Sequence, residues 1–536
     1  MKNVLRCMML LLVGLVAAPA FAAELRTTGF IDNVFPHWER NISNPGSDND
    51  ATRNHDSATY GRTRGRMFFN FIASDDLRGV FGIELDAVWG LPRRDLAGAG
   101  CVVEDGAYGS EFCGFGQNTD INNFELKHLY VDFRIPQLPI GNRTQLGGLP
   151  IQATPLHGQI VMHGDFGGGS TRLTFTDQAS LLLYYAQLEE NVETFNNMPL
   201  AGANTRLGED YYAGGTLQLR PIEGLDLHLV GVYGHLQNPF GSALTGNSGP
   251  FHAIQNDATN VTTESRYYLG FDSRYRLGNL SLEPFFVYLL GTRNFCSPGS
   301  LINTNGDTRV ACTSPVGSRS STNFNAYVGS VLVSYTTGPW LLQAKYAYAS
   351  GNRAGDDINN RGNGPRSDVK VYRAMTTDGS PIWDEWFEIL GRSEVDGTSL
   401  QTFRRWAEAG TADRYGWQMV GVAPEYQFSD NLVLEGAAGG FWTAGMPTAC
   451  PAVLRSVTTG ACTGGGTNSS GQPIYNFTGG SNFLGWEVDV GFRYSIMPGL
   501  TWTPRVGYAG YGDAYSANNR TAQGAWTFSN RMIYIF

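Results

Sequence analysis

Residues Phe483–Met497 read FLGWEVDVGFRYSIM. Drawn as an extended chain, Val488, Val490, Phe492 and Tyr494 fall on one face and Glu487, Asp489, Gly491 and Arg493 on the other. Alternation with period two marks a strand that is apolar on one side and polar on the other. The pattern recurs in Ser265–Leu277, where Tyr267, Leu269, Phe271 and Tyr275 oppose Arg266, Asp272, Arg274 and Arg276. It recurs again in Tyr60–Ile72, with Arg62, Arg64 and Arg66 on one face and Met67, Phe69 and Phe71 on the other. Walking the chain in this way gives about 18 strands between Leu25 and Phe536, with 16 as the alternative count; the doubtful region is Gln145–Phe175.

The connections alternate in length. Short ones carry Gly, Pro, Asn and Asp turn chemistry: residues 74–77, 221–224, 278–279, 337–339, 429–431 and 497–499. Long ones cover about 37–56, 91–120, 191–208, 237–261, 293–321, 351–411, 443–481 and 512–522. If the first strand starts on the short-turn side, every short turn falls at one end of the sheet and every long loop at the other. An open sheet of this size would leave edges exposed to aggregation. A closed antiparallel barrel with an even strand number removes them. The expected fold is therefore all-β: a closed antiparallel transmembrane β-barrel with short periplasmic turns and long extracellular loops. No repeat of 40–50 residues is visible, which argues against a propeller.

Composition agrees. Glycine makes up 68 of 536 residues, and only 16% are charged, well below the ~25% of an ordinary soluble domain. Apolar runs long enough for several membrane helices are absent, while 12% aromatics argue against disorder. The one apolar run, Cys7–Ala18, follows Lys2 and Arg6 and precedes Ala20-Phe21-Ala22, the three-part pattern of a secretory signal peptide over 1–22. The remainder, 23–536, is expected to be one barrel domain. Without Lys2 and Arg6 it carries 36 basic and 48 acidic residues, net −12, which with no basic cluster outside the strands argues against nucleic-acid binding. Six cysteines then remain as Cys101/Cys113, Cys296/Cys312 and Cys450/Cys462, all in long loops. Local disulfides are expected in an oxidising compartment, although six cysteines allow fifteen connectivities.

The last strand places Trp526, Phe528, Met532, Tyr534 and the terminal Phe536 on one face. A final aromatic on an amphipathic strand resembles the assembly signal of Gram-negative outer-membrane barrels. With the signal peptide and loop asymmetry, the chain resembles the porin superfamily, and by size and charge pattern its larger members of the alginate-export and carboxylate-selective types. The resemblance implies a water-filled channel for passive diffusion of small hydrophilic solutes in the cell outer membrane, with anionic solutes as the finer expectation and outer-membrane lipid and lipopolysaccharide as surroundings. It implies no catalytic residues and no cofactor. It does not choose between a monomer and a homotrimer.

A charge on the lipid face costs ~2–4 kcal/mol at the midplane, so charges within strands should point inward. The basic candidates are Arg62, Arg64 and Arg66 on strand 2, Arg266, Arg274 and Arg276 on strand 10, Arg493 on strand 16, Arg505 on strand 17 and Arg531 on strand 18. The acidic ones are Glu84 and Asp86 on strand 3, Asp132 on strand 4, then Asp272, Glu283, Glu425, Glu435, Glu487 and Asp489. Closure brings strands 16–18 beside strands 1 and 2 and gathers Arg493, Arg505, Arg531 and the Arg62/Arg64/Arg66 ladder on one sector. That sector is either a basic track favouring anions or a set of lumenal salt bridges.

Loop 351–411 carries helix signals: Ser380 as N-cap, Pro381 at the first helical position, Trp383, Trp386, Phe387 and Leu390 at helical spacing, and Gly391 as terminator. A second candidate runs 400–408. The loop either narrows the pore, where Asp384, Glu385 and Glu388 would make it acidic, or caps the barrel outside. Inward Gly234, Gly270, Gly439 and Gly507 suggest open space rather than a filled lumen. Two other function classes stay in view: an outer-membrane enzyme using His157, His163, Asp165 and Ser170 near Gly167–Gly169, and a structural or adhesive barrel with a closed lumen. Ser170 lacks the GxSxG setting of a hydrolase nucleophile, and a turn or inward-folded loop explains this stretch better. Asn303–Asp307 lacks the closing Glu of a calcium loop and reads as a polar turn.

Overall fold

The computed structural model describes residues 24–35, 37–39, 57–59, 61–89, 123–189, 210–237, 261–295, 301–304, 307–312, 321–352, 367–372, 374–376, 386–390, 416–445, 481–512 and 524–536. Eighteen long strands make the wall: β1 (Glu24–Val34), β2 (Gly61–Ser74), β3 (Leu77–Trp89), β4 (Asn123–Phe133), β5 (Gly141–Gln152), β6 (Met162–Thr176), β7 (Ala179–Glu189), β8 (Asp210–Leu219), β9 (Leu225–Gln237), β10 (Val261–Leu277), β11 (Leu280–Phe295), β12 (Ser321–Thr337), β13 (Trp340–Ala349), β14 (Trp417–Ser429), β15 (Leu432–Trp442), β16 (Phe483–Met497), β17 (Leu500–Tyr511) and β18 (Ala525–Ile535). Each pairs antiparallel with its neighbour in sequence, and β18 returns to β1 with Phe30 opposite Ile535 and Val34 opposite Arg531. Phe536 and Gly29 exchange backbone hydrogen bonds of 2.9 and 3.0 Å, sealing the seam at the last residue. The sheet is a closed antiparallel barrel, and the strand count is 18 rather than 16.

The faces fall as the alternation demands. On β16 Val488 and Val490 are exposed while Glu487 and Asp489 are buried; on β10 Tyr267 and Leu269 are exposed while Arg266 and Asp272 are buried. An apolar outer surface with charge inside is the arrangement of a barrel that crosses a membrane. Among the described residues no helix is long and apolar enough to cross one. Aromatic rings gather on the outer face near both rims. Trp340 packs on Tyr426 with ring centroids 4.7 Å apart near the short-turn end, and Tyr233 on Tyr267 at 4.9 Å near the other.

Short turns occupy one end throughout. The structure adds two to those expected, at 134–140 and 177–178, and one connection at the opposite end, 153–161. The missed connection explains why Gln145–Phe175 is hard to read. β4 holds β5 only over Leu129–Phe133 against Gly148–Thr144, and β6 holds β7 only from Gly167 onward. Yet β5 and β6 stay paired up to Gln152 and His163. Residues 149–166 therefore leave the ladder on both sides as one hairpin end and turn into the barrel, where Leu149, Ile151, Met162 and Phe166 are buried. Gly147 sits below the departure point with φ of 135°, where a Cβ would strike the Leu129 carbonyl, so only glycine fits.

The expected helix at 381–390 is not seen over its described part: Trp386–Leu390 is a run of bends pressed against the inner wall. Wall contacts override the helical spacing there, because each apolar residue finds a wall partner rather than a helix neighbour. Among the described residues the helical turn that does occur is a 3-10 turn, Gly158–Ile160. The candidate helix at 400–408, residues 1–22, and Cys101, Cys113, Cys296, Cys450 and Cys462 lie outside the described residues. Cys312 is described by its backbone alone, at the end of a small hairpin formed with Leu301–Thr304.

Candidate functional site

Two loops fold into the lumen. The hairpin tip 153–161 crosses to β8 and β10. Thr216 Oγ1 donates to the Ala153 carbonyl at 2.8 Å, Leu156 N donates to Asp272 Oδ2 at 2.8 Å, and His157 Nδ1 lies 2.5 Å from Asp272 Oδ1. The second loop, between β13 and β14, docks first on β12. Thr322 Oγ1 donates to the Ser367 carbonyl at 2.7 Å, and Val369 N to the Asn323 carbonyl at 2.8 Å. It then passes over the first: Tyr372 Oη donates to the Ile160 carbonyl at 2.8 Å, and Met375–Thr376 pair parallel with Met162–His163 of β6. Burial, and to a lesser degree nearby Tyr268, push the Tyr372 phenol well above its ordinary pKa, so it stays a donor. The same loop next appears at β14–β17. There Phe387 packs on Phe441, and Ile389 N and Leu390 N both donate to the Glu487 carboxylate.

These insertions divide the lumen. Against them lies one packed apolar cluster that includes Met162, Tyr212, Val232, Tyr268, Val287 and Val328 on the β6–β12 side and reaches Phe441 of β15, Leu484 of β16 and Ala525 of β18. Arg266 points inward as expected but is entombed: with Arg293 it clamps Glu264 (Arg266 Nε 2.8 Å, Arg293 Nε 2.5 Å), and both guanidinium groups lie over the Phe324 ring. Asp272 is likewise covered by the hairpin tip. Arg274 pairs with Glu283 at 2.8 Å, and Arg276 is exposed near the short-turn end.

The opposite sector, β15–β18 with β1–β4, is lined by ion pairs. Arg493 reaches Glu435 (2.6 Å) and Glu425 (3.1 Å); Arg505 reaches Glu435 (2.8 Å) and Glu388 of the inserted loop (3.6 Å); Arg531 reaches Asp32 (2.9 Å). Arg66 pairs closely with Glu84, which Arg64 and Lys127 also approach at 3.7 Å. Lower down, Asp132 takes Arg78 at 2.6 Å and also Arg143. Arg62 and Asp86 occupy their expected register, opposite Val88 and Arg64 respectively.

The arginine pairs share an asymmetry, which the Lys127–Asp165 pair (13% against 24% exposed) does not: the carboxylate is set into the wall and the guanidinium stands in front of it. The Arg493 side chain is 43% exposed against 8% for Glu435, Arg531 23% against 3% for Asp32, and Arg66 24% against 4% for Glu84. Formal charge nearly balances, but the groups that meet lumenal water are mostly cations. Alternation cannot reveal this, because it assigns acid and base to the same face without saying which is deeper. Alternation also hides Lys127 and His128. A bulge between Gly82 and Ile83 lets these adjacent residues both reach Asp165, at 2.9 and 2.7 Å.

The inward glycines do not mean open space everywhere. A Cβ on Gly439 would lie 2.5 Å from Phe387 Cζ, and one on Gly421 would lie 3.0 Å from it. Glycine there makes a niche for the inserted loop, which corrects the reading of Gly439 as lumen. Three of the hydrolase candidates have other partners. Ser170 Oγ meets Gln145 Oε1 at 3.4 Å, Asp165 serves Lys127 and His128, and His157 serves Asp272. Among the described residues no group of three or more His, Cys, Asp or Glu is placed to hold a metal ion.

Fold and lining together define a closed 18-strand antiparallel barrel, apolar outside and charged inside, with two loops inserted into its lumen. No protein-family model matches the chain, and no curated protein sequence does. Among solved structures it is similar to OccK8 (OprE) of Pseudomonas aeruginosa, at 12% identity over 96% of this chain and 98% of that one, with a TM-score of 0.44. It is also similar to OccAB4 of Acinetobacter baumannii (10% identity, 97% and 100% covered, TM-score 0.45) and to the outer membrane protein OprD of Pseudomonas aeruginosa (10%, 97% and 95%, TM-score 0.43).

Proposed function

We propose that this chain is an outer-membrane channel for passive diffusion of small hydrophilic solutes, exported with cleavage of residues 1–22, and that anions pass preferentially along the β15–β4 sector. The observation that carries the reading is the depth asymmetry of the ion pairs. Guanidinium groups in front of recessed carboxylates lower the barrier for an anion while remaining neutralised in its absence. On the β6–β14 side Arg266 and Arg293 are sealed from water, and Arg274 pairs with Glu283 nearer the short-turn end. The outer apolar belt suits outer-membrane lipid and lipopolysaccharide.

Reconstitution in planar bilayers tests it. Ohmic conductance is expected, with a reversal potential in a KCl gradient displaced toward that of chloride. Replacing Arg62, Arg64 and Arg66 together with Ala should move that potential toward potassium. Well-folded protein without conductance would overturn the channel. Unchanged selectivity in the triple variant would overturn the anion track.

A further inference from the structure

Both inserted loops are held in the same way, by elements far apart in sequence. On β10 the buried Asp272 carboxylate accepts from two consecutive backbone amides of the hairpin tip, Leu156 N at 2.8 Å and His157 N at 3.3 Å. On β16 the buried Glu487 carboxylate accepts from two consecutive backbone amides of the other loop, Ile389 N at 2.6 Å and Leu390 N. These strands stand a third of the way round the barrel from each other. In each case one wall carboxylate, too deep to meet solute, satisfies two amides that would otherwise be stranded away from water.

We infer that Asp272 and Glu487 are the positioning residues of the channel: paired carboxylate staples that fix the two constricting loops and so set bore and selectivity without touching solute. The inference rests on the channel reading for its transport consequence. The physical case is the cost of alternatives. A buried carboxylate accepting amide hydrogen bonds gains charge-assisted bonds; withdrawing the loop would leave both carboxylate and amides to find new partners. Neighbouring charges distinguish the staples. At Asp272 the imidazole of His157, from the loop itself, adds a third contact, and Phe285 of β11 packs on that ring with centroids 4.9 Å apart. At Glu487 the neighbours are acidic, Asp489 on the same strand and Glu388 on the loop, with Arg505 of β17 pairing with Glu388.

The variants Asp272→Leu and Glu487→Gln test this: both amides at Asp272 bond one oxygen, so there the whole acceptor is removed at similar size, while at Glu487 each oxygen takes one amide and Gln sets a donor against one of them. Hydrogen exchange in detergent micelles reads the staples directly and does not depend on conduction. Wild-type amides at 156–157 and 389–390 should be protected. Each variant should exchange at least about tenfold faster at its own pair, with the other pair unchanged, as loss of a charged acceptor predicts. Single-channel conductance should rise in both variants, with Asp76→Asn, which disturbs an exposed ion pair with Arg134 at a short turn but no loop, as the control. Wild-type amides that exchange as freely as exposed ones would overturn the staples even if no variant folds. So would exchange at both pairs that is unaltered in folded variants. If exchange changes as expected but wild-type protein never conducts, the channel reading fails and the staples stand.

Discussion

The two sides of the lumen use the same residue types to opposite ends. On the β6–β14 side, Arg266 and Arg293 are sealed around Glu264 over an aromatic ring, within a packed apolar cluster. On the β15–β4 side, Arg493, Arg531 and Arg66 stand in front of their carboxylates and meet water. A guanidinium therefore has no fixed meaning in a barrel wall. What covers it decides whether it holds the structure together or faces a solute.

The comparison breaks most visibly at Glu264. Glu264→Ala leaves two guanidinium groups buried without their partner, and loss of one member of a buried ion-paired set costs about 3–5 kcal/mol. Urea unfolding of the refolded barrel should show a large fall in midpoint, with anion selectivity unchanged if the protein is kept folded. Arg493→Ala sharpens the same comparison from the other side. Its exposed pairs contribute only about 0–1 kcal/mol, so unfolding should hardly move while the reversal potential shifts toward cations. Equal stability losses in the two variants would erase the distinction between the sides. The most local effect is expected at Tyr372→Phe. It removes one hydrogen bond between the inserted loops, worth about 1 kcal/mol, and should show as faster local exchange near Ile160 with little change in global unfolding.

Much of the wall was legible in the sequence. The strands 483–497 and 265–277 alternate strictly because every second residue meets lipid and the others do not, so pattern and environment coincide. The hairpin 149–166 was not legible, since once it leaves the wall both of its faces are covered and alternation loses its meaning. Gly439 misled for a related reason: a missing side chain signals room, but not who occupies it, and here the occupant is Phe387, 52 residues earlier in the chain. Of the helix expected around 381–390, the described part Trp386–Leu390 is not helical, because contacts with Phe441 and Glu487 outweigh local propensity there.

The sequence alone determined the closed barrel, the side of each strand that faces lipid, the end that carries the long loops, and the sector where basic residues gather. All of these follow from a period of two and from the parity of connections, which are local or additive properties. Tertiary structure alone decided which inward charges are entombed and which are wet, that carboxylates lie deeper than their partners, and that Asp272 and Glu487 hold the inserted loops. Depth, cover and partnership belong to residues hundreds of positions apart, and a period of two carries no information about them.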